Sequence, residues 1–483
     1  MNFKPPLRFL GRLLLILAGA LLLPALCSAL YAEFGDAVSF VLSSALTAGC
    51  GGALILLGRG SGEIYRREGF LIVVGGWVLA SIFGAVPYLL TGTLTAPADA
   101  LFESASGFTT TGASVMTDIA SNGHGILFWR SFSQWLGGMG IIVLFVALLP
   151  ELGAGARFLY KLEVPGPTAE TLHPRVNTTA AVLWKIYLGL SGLLVVLLML
   201  AGLDLYDALT HAFSTLSTGG FSPKNASVAA FGSPLVEVIV MVFMVLAGAN
   251  FSLYFGLRRP GGWRGLLRDT ELRIYLGLIV GVSAVIAWHL AATRTVESPG
   301  RALLDSAFQV IGVLTTTGFA TADFNEWPPL PRFLIVSLMF VGGCAGSTSG
   351  GVKIMRFVIS LKAALREVRL MFSPSQVMAV WIGGKAVPNA VARSVVGFFM
   401  LYFTAWALGT LALTIGGNEL EIAATASITT LGNIGPGLGW AGPSGNFSAF
   451  MDWQKVLMVG LMWVGRLEVY AIAALFTVAF WRR

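Results

Sequence analysis

Uncharged apolar stretches follow one another along this chain, at 11–31, 37–58, 69–91, 130–150, 183–203, 234–257, 273–293, 332–360, 393–416 and 454–481. Each is close to the roughly 20 residues that a helix needs to cross the hydrocarbon core of a bilayer. The pattern predicts ten helical spans. Four connections break the rhythm with segments too short or too polar to cross. They read "DALFESASGFTTTG", "DALTHAFSTLSTGG", "DSAFQVIGVLTTTG" and "IAATASITTLGNIG", and each ends in glycine.

Composition sharpens the class. Hydrophobic residues make up 56% of the 483 and charged residues 11%, whereas a soluble domain carries about 25% charged residues. Such a chain cannot cover a water-facing surface, so it is an all-α polytopic membrane protein. The run from Leu13 to Ala32 follows Lys4, Arg8 and Arg12 and ends near "SALYA", which resembles a signal-peptide cleavage site. Its length exceeds a typical signal-peptide core, and we read it as a spanning helix.

Charge orients the spans. The N-terminus, the connections near 59–68, 151–185, 258–273 and 353–393, and the C-terminus together hold 24 of the 31 Lys and Arg residues. Lys and Arg excess marks the cytoplasmic side, so both termini are expected to face inward. The acidic residues favour the opposite side. The net charge of +7 is then a topology signal spread over several short loops, and no nucleic-acid partner is expected. Three scattered cysteines and four separated histidines match no disulfide framework or metal spacing, and the common catalytic signatures are missing. An enzyme is not expected.

The four interrupting segments align without gaps. Asp99 and Gly112, Asp207 and Gly220, and Asp305 and Gly318 are each 13 residues apart, and the fourth copy ends at Gly435 without the Asp. Each unit reads span, short polar-start helix, Thr/Gly turn, span, and a fourfold internal repeat outweighs any single motif. The leading Asp is expected to N-cap its short helix. Irregular backbone at membrane depth must be buried in protein or line water. Four Thr-x-Gly turns around one axis would make a ring of carbonyl oxygens that replaces a cation's hydration shell. The negative C-terminal ends of four inward-pointing helices favour a cation too.

These residues resemble the TrkH/TrkG and KtrB superfamily of potassium transporters, specifically its Trk-type membrane subunit. The resemblance runs nearly end to end and rests on "SGFTTTGA" (106–113), "WLGGMGIIVL" (135–144), "STGGFS" (217–222), "TTTGF" (315–319), "GGCAGSTSGGVK" (342–353), "LGNIGPGLG" (431–439) and "GRLEVY" (465–470). It implies four fused channel-like repeats (helix, re-entrant pore helix, filter loop, helix) around a pseudo-fourfold pore. Two N-terminal helices at 1–68 would precede repeats at 69–156, 157–260, 261–372 and 373–483. The implied K⁺ filter is Thr110-Thr111-Gly112, Thr218-Gly219-Gly220 with Phe221, Thr316-Thr317-Gly318 with Phe319, and Asn433-Ile434-Gly435 with Pro436. The fourth copy departs most. A single-glycine filter would also discriminate K⁺ from Na⁺ less strictly.

The eighth span carries "GGCAGSTSGG" at 342–351. Glycine costs about 1 kcal/mol against alanine in a helix, so this stretch is expected to unwind. The resemblance makes it an intramembrane gate formed by Gly342, Gly343, Gly346, Ser347, Thr348, Gly350 and Gly351, with Lys353 and Arg356 just below it at the inner surface. Arg466 lies inside the last span, where an ionisable group signals function. It would oppose a cation in the cavity or hold the gate loop through its carbonyls. A pair with Glu468 is disfavoured, because i and i+2 point to different helix faces.

The resemblance further implies K⁺ uptake across the bacterial inner membrane, channel-like or as an H⁺- or Na⁺-coupled symporter, with K⁺ as cargo and no organic cofactor in this chain. It also implies a homodimer and a cytosolic TrkA-like nucleotide-binding regulatory ring. Two other classes compete. An inverted-repeat carrier conflicts with four units of one topology, and an intramembrane enzyme lacks a catalytic cluster within the spans.

Overall fold

The computed structural model describes residues 2–60, 64–140, 176–256, 262–373, 375–376 and 378–482. The second half of the predicted fourth span and most of the basic connection 151–185 lie outside them.

Helices α1 (Lys4–Ala20), α2 (Leu22–Leu30) and α3 (Phe34–Leu57) form an N-terminal hairpin in which α1 packs along α3. Four units of similar build follow. In the first, the long α4 (Arg66–Leu90) leads to the short α5 (Pro97–Phe108) and then to α6 (His124–Gly138). The second comprises α7 (Val176–Leu200), α8 (Leu205–Leu216), α9 (Pro234–Gly248), α10 (Phe251–Gly256) and α11 (Gly262–Arg268). In the third, α12 (Thr270–Ala292) and α13 (Pro299–Leu314) precede α14 (Pro329–Leu338), a loop, and α15 (Ile354–Phe372). A small hairpin, β1 (Val380–Ile382) with β2 (Lys385–Val387), leads into the fourth, made of α16 (Asn389–Ile415), α17 (Leu420–Gly432), α18 (Asp452–Arg466) and α19 (Val469–Leu475).

In every unit the short helix packs between the long helix before it and the helix after it. Units interlock by a second rule: α6 packs on α8, α9 on α13, and α18 returns to α5. The short helices are buried on nearly every side, as Ser104, Ser106, Ser214, Thr215, Ser427 and Thr429 show. By contrast, α3, α12 and α16 expose Leu42, Leu46, Val280, Met400 and Leu408. Large exposed apolar faces of this kind suit lipid.

Six described helical stretches are long and apolar enough to cross a membrane, and the bent pair α18–α19 makes a seventh. These correspond to the first, second, third, fifth, seventh, ninth and tenth predicted spans. The sixth and eighth are built differently. Span 234–257 breaks at Ala249 and Asn250, and span 332–360 unwinds between α14 and α15, as the glycine run predicts. The tenth span is not continuous either, because its two helices meet at 114°. Glu468 sits at that break with φ 61°.

The leading aspartates do not cap. Ala96 precedes α5, Asp204 caps α8, and Asp305 lies well inside α13. Each is an ion-pair partner instead: Asp99 with Lys455, Asp207 with Lys224 at 3.0 Å, and Asp305 with Arg301 at 2.7 Å. A carboxylate in a low-dielectric setting gains more from a fixed cation than from a helix terminus.

Candidate functional site: a ring of four turns

Each short helix ends in one backbone figure. Thr110, Thr218, Thr316 and Asn433 adopt φ of 54°, 54°, 58° and 53°, and Gly112, Gly220, Gly318 and Gly435 adopt φ of 80°, 78°, 75° and 105°. A β-branched threonine in the left-handed region is an outlier that its surroundings must enforce. The same enforcement appears in all four turns. The amides of Thr111, Gly219, Thr317 and Ile434 donate to the carbonyls of Ser106, Ser214, Gly312 and Thr429 at 2.8, 2.8, 2.8 and 2.9 Å. Asn433, the departure in the fourth copy, takes the left-handed position more readily than threonine does. Its amide side chain also ties the quarter to its neighbours, donating to Thr111 Oγ1 at 3.0 Å and to the Met462 carbonyl at 3.1 Å.

The turns close on one another. A Cβ built on Gly112 would strike the Gly219 carbonyl oxygen, one on Gly220 that of Thr317, one on Gly318 that of Ile434, and one on Gly435 that of Thr111. The order runs first, second, third, fourth and back to the first. The glycines therefore serve both backbone angle and space. All four line one shallow depression, together with Ala113, Phe221 and Arg130.

Polar staples hold the chain as it leaves the ring. Glu103, fully buried, accepts from Ser114 Oγ at 2.9 Å, from the Val115 amide at 2.9 Å and from Arg130 Nε at 2.8 Å. Arg130 also donates to the Ser222 carbonyl at 3.1 Å and stacks 4.1 Å from the Phe221 ring centre, so it joins two quarters. His211 Nε2 meets Ser222 Oγ at 3.0 Å, Gln309 donates to the Ala322 carbonyl at 3.1 Å, and Thr425 Oγ1 accepts from the Leu438 amide at 3.0 Å. Phe319 is buried beside His211, and Pro436 lies against Gly318.

On the other side of the ring lies the loop 342–351. Gly342 donates to the Val352 carbonyl at 2.8 Å, and Gly343 accepts from Ile354 at 3.3 Å. Ser347 Oγ bonds the Cys344 carbonyl at 2.7 Å. Gly346 and Gly351 adopt φ of 72° and 63°. The break between α9 and α10 receives the loop: the Cys344 amide bonds the Gly248 carbonyl at 2.9 Å, and Gly346 accepts from Phe251 at 3.1 Å. Glu271 of α12 accepts from the Ala345 amide at 2.8 Å.

The loop reaches all four quarters. Gly350 donates to Thr316 Oγ1 at 2.7 Å, and Thr348 Oγ1 donates to the Leu216 carbonyl at 3.0 Å. A Cβ on Gly350 would meet the Gly432 carbonyl at 2.5 Å. Arg466 makes the remaining link. Its Nη1 donates to the Thr348 carbonyl at 2.9 Å and to Thr110 Oγ1 at 3.1 Å, and its Nη2 to the Gly137 and Gly138 carbonyls at 2.6 and 2.9 Å. Glu468 pairs with Arg356 at 2.6 Å, not with Arg466. Lys353 and Arg356 are not at the surface. Both are buried, with Lys353 Nζ on the Ser349 carbonyl and Arg356 over the Phe398 ring at 4.0 Å. Loop carbonyls and Glu468 satisfy these cations where water does not.

Residue patterns did not single out Gln134, Glu103, Arg130 or Asn250. Arg130 at the edge of a predicted span was the available signal, since ionisable groups there are costly unless paired.

The TrkH family, described as cation transport protein, matches residues 38–481. The Trk system potassium uptake protein TrkH of Halomonas elongata is 39% identical over the full length of both chains. The protein of that name from Escherichia coli K12 is 36% identical, again over both full lengths. The crystal structure of the potassium transporter TrkH from Vibrio parahaemolyticus superposes over all of both chains with a TM-score of 0.89 at 36% identity.

Proposed function

This chain belongs to the TrkH family of cation transport proteins, and from that membership we propose that it is a potassium uptake protein of a Trk system whose ion path runs through the ring of four turns. One observation carries this reading: the four glycines each abut the carbonyl of the next quarter, in cyclic order. Backbone carbonyls held this way replace a cation's hydration shell without any formal charge. The family is one of transporters, which answers the enzyme alternative.

Thr110-Thr111-Gly112, Thr218-Gly219-Gly220, Thr316-Thr317-Gly318 and Asn433-Ile434-Gly435 are the filter in this reading. The loop 342–351 is its gate, closed by hydrogen bonds to Thr316, Leu216 and Arg466. Arg466 holds the loop and places a fixed positive charge beneath the ring. Its four carbonyl and hydroxyl partners support that role. The basic connections face the cytoplasm of a bacterial inner membrane. There a nucleotide-binding ring of TrkA type shifts the loop between states, and the membrane subunit works as a homodimer.

The test is flux of K⁺ and Na⁺ into proteoliposomes that contain the full chain. K⁺ entry driven by its own gradient, blocked by Gly318→Ala, is the expected result. Absence of cation flux with correctly folded protein would refute the reading.

A further inference from the structure

The middle position of the four triplets is occupied by Thr111, Gly219, Thr317 and Ile434. Gly219 alone lacks a side chain, and its φ is not in the left-handed region, so backbone angle does not require glycine there. Space does. A Cβ on Gly219 would collide with the side-chain amide of Gln134, which α6 buries completely against this turn. In the first and third quarters the middle threonine pairs with a hydroxyl of its own turn, Thr111 with Thr109 at 2.8 Å and Thr317 with Thr315 at 2.7 Å. In the second quarter Ser217 turns away to the Ser214 carbonyl, and Gln134 fills the place.

The amide brackets the filter glycine. Gln134 Nε2 donates to the Gly219 carbonyl at 2.6 Å, and Gln134 Oε1 accepts from the Phe221 amide at 3.0 Å. These two bonds fix the orientation, because the flipped amide would set donor against donor and acceptor against acceptor. The Gly219 carbonyl is also the one that abuts Gly112 in the ring. Among the described residues its counterparts on Thr111, Thr317 and Ile434 accept no hydrogen bond.

We propose that Gln134 is a specificity-determining residue of the transport path, whose amide replaces the missing side chain of Gly219 and lowers the field of one ring carbonyl toward the cation. The inference rests on the reading of the ring as the K⁺ path. A donor N–H on a carbonyl oxygen places partial positive charge beside the lone pairs that a cation would share. Na⁺ costs more to dehydrate than K⁺ and repays that cost only in a stronger field, so a weakened carbonyl favours K⁺. Gln134 therefore raises the preference for K⁺ within the quarter that departs from the Thr-Thr-Gly pattern.

The experiment measures the K⁺/Na⁺ flux ratio and the Tm of the full-length protein in proteoliposomes and detergent. Gln134→Met, of similar length but without a donor, is expected to lower the ratio about three- to tenfold, the equivalent of one hydrogen bond. Gly219→Thr alone is expected to lose folded protein, because its side chain meets Gln134. Adding Gln134→Ala to Gly219→Thr restores a turn like those of the first and third quarters, recovering the Tm while leaving the ratio low. The proposal is overturned if Gly219→Thr alone is tolerated, if the double variant is no more stable than the single, or if a folded variant without Gln134 keeps the wild-type ratio. Wild-type protein that carries no K⁺ would sink the transport reading, while the Tm comparison would still test the packing exchange.

Discussion

Threonine at φ near 55° is the residue-scale signature of this molecule. A left-handed conformation costs an ordinary residue about 1–2 kcal/mol, and each turn offsets that cost with the amide bond that follows it. Gly318→Ala adds a Cβ against the Ile434 carbonyl and should abolish K⁺ uptake. Gly277→Ala, on an α12 surface with open space around it, should leave flux unchanged and stabilise its helix by up to about 1 kcal/mol. Comparing both by flux and Tm separates the ring from glycine effects in general. For Arg466→Ala, the loss of bonds to the Thr348 carbonyl and Thr110 predicts higher flux or weaker gating, and unchanged flux in liposomes would count against the role assigned to it.

At the scale of elements, broken helices matter more than whole ones. The loop 342–351 is held mainly by backbone groups that other breaks leave free, notably Ala247, Gly248 and Leu216 at helix ends. Thr348→Val removes the hydroxyl proton that the Leu216 and Ala247 carbonyls share at 3.0 and 3.1 Å. At about 1 kcal/mol for the one net hydrogen bond lost, a loop that gates the path, as proposed, should open roughly fivefold more often, raising K⁺ flux without regulator. The N-terminal hairpin is tied to the first unit at Glu33, which lies between α2 and α3. Burial pushes the Glu33 carboxyl up, but bonds from the His124 amide and ring and from the Gly125 amide outweigh it and hold the carboxyl below its usual value. A lowered carboxylate stabilises above its unfolded value and loses that contribution as pH falls through the folded value. Acidification from pH 6 to pH 3 should therefore lower the Tm of the wild type more than that of Glu33→Gln.

For the whole molecule, four stretches of similar helix order bring their turns together into one ring within a single chain. Flux under a K⁺ gradient alone, without Na⁺ or a pH gradient, should proceed if the ring is a channel-like path, and strict dependence on either second ion would mark coupled transport. The class, the lipid-facing windows and the register of the four triplets were legible along the chain, since hydropathy and a repeated Thr/Gly figure are local. The breaks at Asn250 and Glu468 were not, because an apolar window registers composition and is blind to a single residue that leaves the helix.

The amino-acid sequence by itself determined that this chain lives in a bilayer, that four polar turns interrupt it in parallel, and which glycine ends each turn. Only the tertiary structure decided that each glycine faces the next quarter's carbonyl, that Gln134 completes the quarter with two adjacent glycines, and that Lys353 and Arg356 are buried. The reason is physical. Burial and conformational preference belong to a residue and its near neighbours, whereas a ring of carbonyls is made by groups some 100 positions apart, brought together by packing.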